Sequence, residues 1–139
     1  MTEAVYVDTS ALVKLIAAEA ESRALIEFLG VRATGIASAI AIVELGRALG
    51  RRPDVDASRA FRVLDRLVLV EADRRILERA AGLAPADLRS LEAIHLATAI
   101  EIRDSIEALI TYDARLAAAT PVHGFETIAP GSHPSGRQP

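Results

Sequence analysis

The sequence contains no cysteine. Disulfide scaffolds, zinc–thiolate centres and thiol nucleophiles are therefore excluded. Long apolar runs are also missing. The most apolar stretches are broken by charge, at Glu44 and Arg47 and again at Glu101 and Arg103, so no segment reads as a membrane span. The opening Met-Thr-Glu-Ala has no basic n-region, so no secretory signal peptide is expected, and a cytoplasmic location is expected with it. Lysine is nearly absent: Lys14 is the only one, and the other basic residues are arginines, which suit bidentate phosphate contacts. There is no excess of positive charge. The formal net charge of −3 runs against a generally basic nucleic-acid binder, although an acidic site that holds divalent cations carries negative charge for its own reasons. The three histidines, His95, His123 and His133, are scattered and form no cluster. No internal repeat is present.

What is present is 139 residues, 51% of them hydrophobic, with a mean hydropathy of +0.27. This is one domain with its own core, and apolar enough to reserve some surface for a partner. Residues 1–129 read as the domain. Residues 130–139, rich in Pro, Gly and Ser, read as a disordered tail.

Short apolar runs alternate with helical patterns. Strands are predicted at 4–7, 33–37, 68–70, 108–111 and 125–128. Helices are predicted after Asp8-Thr9-Ser10, over 19–29 to a stop at Gly30, from a Ser38 cap towards Gly50, from Asp56 or Ser58 to about 67, from an Asp73 cap to 81, over 91–102 and over 113–118. Strands that are apolar throughout and separated by helices imply an α/β fold. Its parallel sheet has about four to five strands and is covered on both faces. Ligands in such folds bind beyond the carboxyl ends of the strands. Asp8 and Asp113 both follow strands directly, so they are expected on the same rim.

Four carboxylates stand out: Asp8, Glu44, Glu92 and Asp113. Hard divalent cations take oxygen ligands, and Mg²⁺ keeps several waters, so a few carboxylates suffice. Such a cluster can orient a water, lower its pKa and neutralise charge on a phosphodiester. Taken singly, each acid has a plainer role. Asp8 and Asp113 can be helix N-caps. Glu44 can pair with Arg47 at i+3. Glu92 can stabilise a helix N-terminus through the dipole. His95, three residues after Glu92, reads as a structural, hydrogen-bonded histidine rather than a metal ligand.

The segments around these acids resemble known motifs. Val5-Tyr6-Val7-Asp8-Thr9-Ser10-Ala11-Leu12 resembles the opening motif of PIN-domain nucleases, and Ile42-Val43-Glu44-Leu45-Gly46-Arg47-Ala48-Leu49 their second. Leu88 through Ala99, with Glu92-Ala93-Ile94-His95, resembles the third motif as it occurs in VapC toxins. Ile110-Thr111-Tyr112-Asp113-Ala114-Arg115-Leu116 resembles the fourth. The resemblance runs from residue 4 to 128 with the motifs in order.

It implies a PIN-like three-layer fold and a Mg²⁺- or Mn²⁺-dependent ribonuclease, the toxin of a type II toxin–antitoxin system. It also implies RNA as substrate, a VapB-like antitoxin partner and a homodimer. Asp8, Glu44 and Asp113 map onto the metal-site acids, with Thr9 or Ser10 and Thr111 as hydrogen-bonding supports. Arg89 and Arg115 are expected to meet RNA phosphates or acidic groups of the antitoxin. The third motif usually carries aspartate where this chain has Glu92. The carboxylate is kept and the side chain is one methylene longer, and Glu92 is expected to act as a metal-site acid too. Leu12, Val13, Ile16, Leu25, Ile26 and Leu29 supply apolar faces on the first two helices for the sheet or for a second copy.

Other readings compete. A haloacid-dehalogenase-type phosphatase also has an aspartate after its first strand, but it needs a second one two residues on, where this chain has Ser10. A receiver domain needs a lysine after a late strand, and the only lysine is Lys14. The remaining alternative is a PIN-fold RNA- or protein-binding module that is catalytically weak or inert.

Overall fold

The computed structural model describes residues 3–132. The chain runs β1 (Glu3–Val7), α1 (Thr9–Ile16), α2 (Ser22–Arg32), β2 (Ala33–Ser38), α3 (Ala41–Leu49), α4 (Ser58–Asp65), β3 (Val68–Val70), α5 (Arg74–Ala81), α6 (Ser90–Glu101), β4 (Ala108–Ile110), α7 (Ala114–Ala119) and β5 (Thr127–Ile128). The five strands form one parallel sheet in the order β3-β2-β1-β4-β5. This is the expected α/β sheet.

Alternation along β1 builds the two faces. Val5 and Val7 point into a core with Leu12 and Ile16 of α1, Leu25 of α2, Leu45 and Leu49 of α3 and Leu64 of α4. Tyr6 points the other way, among Leu96 and Ala99 of α6 and Leu116 and Ala119 of α7. Ala93 and Ala97 on the outer side of α6 meet Ile76 and Ala80 of α5. Helix α6 thus lies between the sheet and another helix. That explains why it is apolar nearly all round and how it carries His95 inside. Each fully buried Leu or Ile here contributes about 1.5–3 kcal/mol.

Local differences from the sequence reading have physical causes. Helix α2 begins at Ser22, not Glu19. The Ser22 hydroxyl accepts from the Glu19 amide and donates to the Ala17 carbonyl, while Lys14 bridges Glu19 and Glu21, holding that stretch as a loop. The helix then runs through Gly30 directly into β2, tolerating a glycine that costs about 1 kcal/mol relative to alanine. Ser38 is not the N-cap of α3. It ends β2, and its Oγ accepts from the Ile40 amide at 3.3 Å. Asp73 caps α5 through the Ile76 amide, as read. β5 is shorter than the predicted strand at 125–128.

Of the apolar residues on the first two helices, Leu12, Ile16 and Leu25 are buried, while Ile26 is 51% exposed. The Tyr112 hydroxyl donates to the Pro130 carbonyl at 2.7 Å. Residues 133–139, with His133 and most of the predicted tail, lie outside the described residues. Among the described residues no helix is long and apolar enough to cross a membrane.

Candidate active site

Strand order reverses between β1 and β4: the chain builds outward through β2 and β3 on one side and through β5 on the other. Such a switch point opens a crevice at the carboxyl ends of the strands. Asp8 follows β1 there, its amide donating to the Ile110 carbonyl of β4 at 3.2 Å. Asp113 follows β4. Helix α3 brings Glu44 to the same place, and the start of α6 brings Glu92 and, one turn later, His95. These residues, with Thr9, Ser10, Arg89 and Leu91, line one cleft of about 290 Å³.

Two hydroxyls join the two strand ends. Ser10 Oγ donates to Asp8 Oδ1 at 2.6 Å and accepts from the Tyr112 amide at 2.9 Å. Thr111 Oγ1 donates to Asp8 Oδ2 at 2.6 Å and accepts from the Asp113 amide at 3.0 Å. Asp8 also caps α1, accepting from the Ala11 amide at 3.1 Å. Asp8 is only 3% exposed. Burial raises its pKa above the ordinary aspartate value, against the lowering effect of the Ser10 and Thr111 hydroxyls.

Glu44 is half-buried, and its Oε1 receives two side-chain contacts. Thr9 Oγ1 donates at 2.7 Å, and His95 Nε2 lies at 2.7 Å. Burial pushes the Glu44 carboxyl up, but His95 and Thr9 outweigh it and hold the pKa below the usual glutamate range. The other His95 nitrogen, Nδ1, is 2.6 Å from the Tyr6 hydroxyl. The i+3 pairing of Glu44 with Arg47 suggested by the sequence is not formed. The helix packing turns Glu44 inward, onto α1 and α6.

Glu92 and Asp113 are held differently. Glu92 Oε2 accepts from the Arg89 amide at 3.0 Å, as a third-position glutamate does in a capping box, and its Oε1 is 3.9 Å from Arg115 Nε. Asp113 Oδ1 caps α7 through the Arg115 and Leu116 amides at 2.9 and 3.1 Å. Arg89 and Arg115 are exposed on the rim of the cleft.

Among the described residues no three Asp, Glu or His side chains converge tightly enough to grip a metal ion directly. The donor set nevertheless has the right chemistry for a hard cation: carboxylate oxygens, no sulfur, and a buried Asp8 that joins no ion pair among the described residues. Such a set suits an ion that keeps most of its waters, as Mg²⁺ does.

The structure therefore brings together all four acids named from the sequence, with Thr9, Ser10 and Thr111 bonded to two of them. It adds Tyr6, which the sequence reading left in the core, and gives His95 a specific partner. A tyrosine in the middle of an otherwise aliphatic strand was the available signal, because a buried phenol needs a hydrogen-bond partner. His123 lies elsewhere, against the Ala84 carbonyl.

The PIN domain family model matches residues 5–120. Among curated proteins, the chain is 42% identical over 127 residues to Ribonuclease VapC46 of Mycobacterium tuberculosis, covering 91% of this chain and 98% of that protein. It is 37% identical over 134 residues to Ribonuclease VapC47 of the same species, covering 92% and 98%. Among solved structures, a toxin–antitoxin complex from Klebsiella pneumoniae contains a chain that superposes with a TM-score of 0.69 at 23% identity, covering 91% of this chain and 97% of that one. At that identity the likeness speaks for the fold.

Proposed function

Because this chain belongs to the PIN-domain family, among the VapC-type ribonucleases, we propose that it is a Mg²⁺- or Mn²⁺-dependent endoribonuclease and the toxin half of a toxin–antitoxin pair. The observation that carries this reading is the meeting of Asp8, Glu44, Glu92 and Asp113 on one cleft at the switch point of the sheet. These four carboxylates would hold the cation largely through its retained waters. When bound, it supplies a Lewis acid for the phosphoryl oxygens and lowers the pKa of a coordinated water. Glu44, kept ionised by Thr9 and His95, would accept the proton of an attacking water through its remaining oxygen. Asp8, fixed by three donors, would present its carboxylate to the cation in one orientation. Arg89 and Arg115, exposed on the rim, would meet RNA phosphates or acidic groups of the antitoxin.

An antitoxin segment has ground to dock on. Ile42, Val43 and Leu91 are exposed, and a groove of about 450 Å³ lined by Val43, Leu91, Arg47 and Arg51 shares Glu44 with the cleft. The superposable Klebsiella chain comes from a toxin–antitoxin complex, which favours a VapB-like partner. A homodimer is expected from the same kinship, and light scattering that shows only monomer over a wide concentration range refutes it.

The test of the nuclease is direct. Structured RNA is incubated with the purified protein in Mg²⁺, in Mn²⁺ and in excess chelator. Cleavage is expected only with the metals, and equal cleavage in chelator ends the metal mechanism. A second reading, an inert PIN-fold binding module, is favoured by Glu92 already serving its own helix start. It predicts RNA binding without cleavage and no carboxylate-dependent Mn²⁺ binding by calorimetry.

A further inference from the structure

We infer that Tyr6 and His95 are a buried positioning pair that fixes the Glu44 carboxylate in one orientation, with one oxygen anchored and the other left for the cleft. The inference deepens the nuclease reading and rests on it for its functional consequence, though not for its geometry.

The three groups come from three layers. Tyr6 lies on the sheet, His95 on α6 and Glu44 on α3. The sequence separations are 89 residues for Tyr6–His95 and 51 for His95–Glu44, so nothing local forces the contacts. Tyr6 and His95 are both buried, at 0% and 4% exposure. Their rings pack edge to face, with centroids 5.9 Å apart and planes at 72°.

The proton directions follow from the chemistry of the chain of contacts. A phenol at neutral pH carries its proton, and an imidazole nitrogen at 2.6 Å is a good acceptor. Tyr6 therefore donates to His95 Nδ1. In neutral imidazole the proton is then on Nε2, which donates to Glu44 Oε1. Thr9 Oγ1 donates to that same oxygen. Glu44 Oε1 thus has two donors, whereas Oε2 has no hydrogen-bond partner among the described residues.

A free glutamate has several rotamers and a freely turning carboxylate. Here Tyr6 sets the tautomer and the ring orientation, the ring sets Oε1, and Oε2 is the oxygen that remains. A purely structural histidine requires none of this ordering. It requires only that its own two nitrogens be satisfied.

Three variants test the inference: Tyr6→Phe, which removes one hydroxyl; His95→Gln, which keeps an amide donor; and His95→Leu, which removes both nitrogens. Each is checked for folding by near-ultraviolet circular dichroism and thermal melting. Outer partners of metal-site ligands typically change metal affinity or activity by about 10- to 100-fold. His95→Leu is therefore expected to weaken Mn²⁺ binding and lower kcat within that range with little change in KM for RNA. Tyr6→Phe should lose less, and His95→Gln should recover part of the loss. Crystal structures of the parent and His95→Leu should show the Glu44 carboxylate in different orientations.

A folded His95→Leu or Tyr6→Phe variant with parental Mn²⁺ affinity and parental kcat overturns the inference, as does an unmoved Glu44 in His95→Leu. If the parent itself neither binds Mn²⁺ nor cleaves RNA while Glu44 still moves, the nuclease reading fails and the positioning pair stands. If Glu44 stays put in an active enzyme, the reverse holds.

Discussion

Asp8 and Glu44, on one wall of the cleft, are held by side chains from distant parts of the chain: Thr111 for Asp8, and Thr9 and His95 for Glu44. Glu92 and Asp113, on the other wall, accept hydrogen bonds from backbone amides at the starts of the helices they introduce. Asp8 caps α1 as well, so the first wall adds tertiary contacts to a local cap, whereas the second is held by local capping. The difference has energetic content. Local caps contribute about 0.5–2 kcal/mol each wherever a helix starts. A buried carboxylate is tolerable only if the rest of the fold delivers its donors. The first wall is therefore expected to be rigid and intolerant of substitution, and the second adaptable. This suits a chain with Glu92 at the position where the resemblance led one to expect aspartate.

The largest break in this comparison is Asp8→Asn. RNA cleavage should be largely lost, while the metal-free protein should become more stable at neutral pH. The sign follows from burial. The folded-state pKa of Asp8 is raised, so between the unfolded value, about 3.9, and the raised one the folded state binds more protons than the unfolded state. Stability is lost as pH rises through that window and stays lower above it. Asn carries no charge and escapes this penalty, and its amide can donate to Thr111 Oγ1. Thermal melts at neutral and acid pH without metal should show the variant above the parent at neutral pH, with the gap closing in acid. A gap that is the same at both pH values contradicts the account. Glu44 has the opposite sign: its depressed pKa gives stability that is present above about 4.3 and lost as pH falls through the folded value.

A smaller effect is expected from Thr111→Val, which is close to isosteric. It removes the donor to Asp8 Oδ2 and the acceptor for the Asp113 amide. Urea denaturation should report a loss of about 1–3 kcal/mol, and cleavage should drop roughly 10- to 100-fold. A variant as stable and active as the parent would mean that the two walls are not joined through this hydroxyl.

The smallest change in stability is expected on the second wall. Glu92→Gln keeps an oxygen for the Arg89 amide, since glutamine also completes a capping box, so stability should shift by less than about 1 kcal/mol. Mn²⁺ affinity and cleavage should both fall, because the charge is gone. Glu92→Asp should preserve or raise activity. If Glu92→Gln cleaves RNA as fast as the parent, Glu92 is a helix-start residue and nothing more.

Much of the architecture was legible because it rests on short-range rules. Apolar runs too short for helices marked β1, β3 and β4. Asp73 and Asp113 announced their helices through the capping chemistry that the structure contains. Two aspartates directly after apolar strands of a parallel sheet had to share a rim. Boundaries slipped where non-local contacts intervened, as at α2, where Lys14 and Ser22 hold the preceding loop.

The sequence by itself determined the element types, the parallel sheet and the identity of the acids, because periodicity, caps and residue chemistry act over a few positions. It could not say which partners Glu44 would take. Arg47, one turn away, was the local candidate, and His95, 51 residues away, became the partner. That choice belongs to the tertiary structure. Helix α6 is apolar on both sides and is sandwiched between the sheet and α5. The sandwich carries His95 to Tyr6 and Glu44, where a buried imidazole must find a donor and an acceptor.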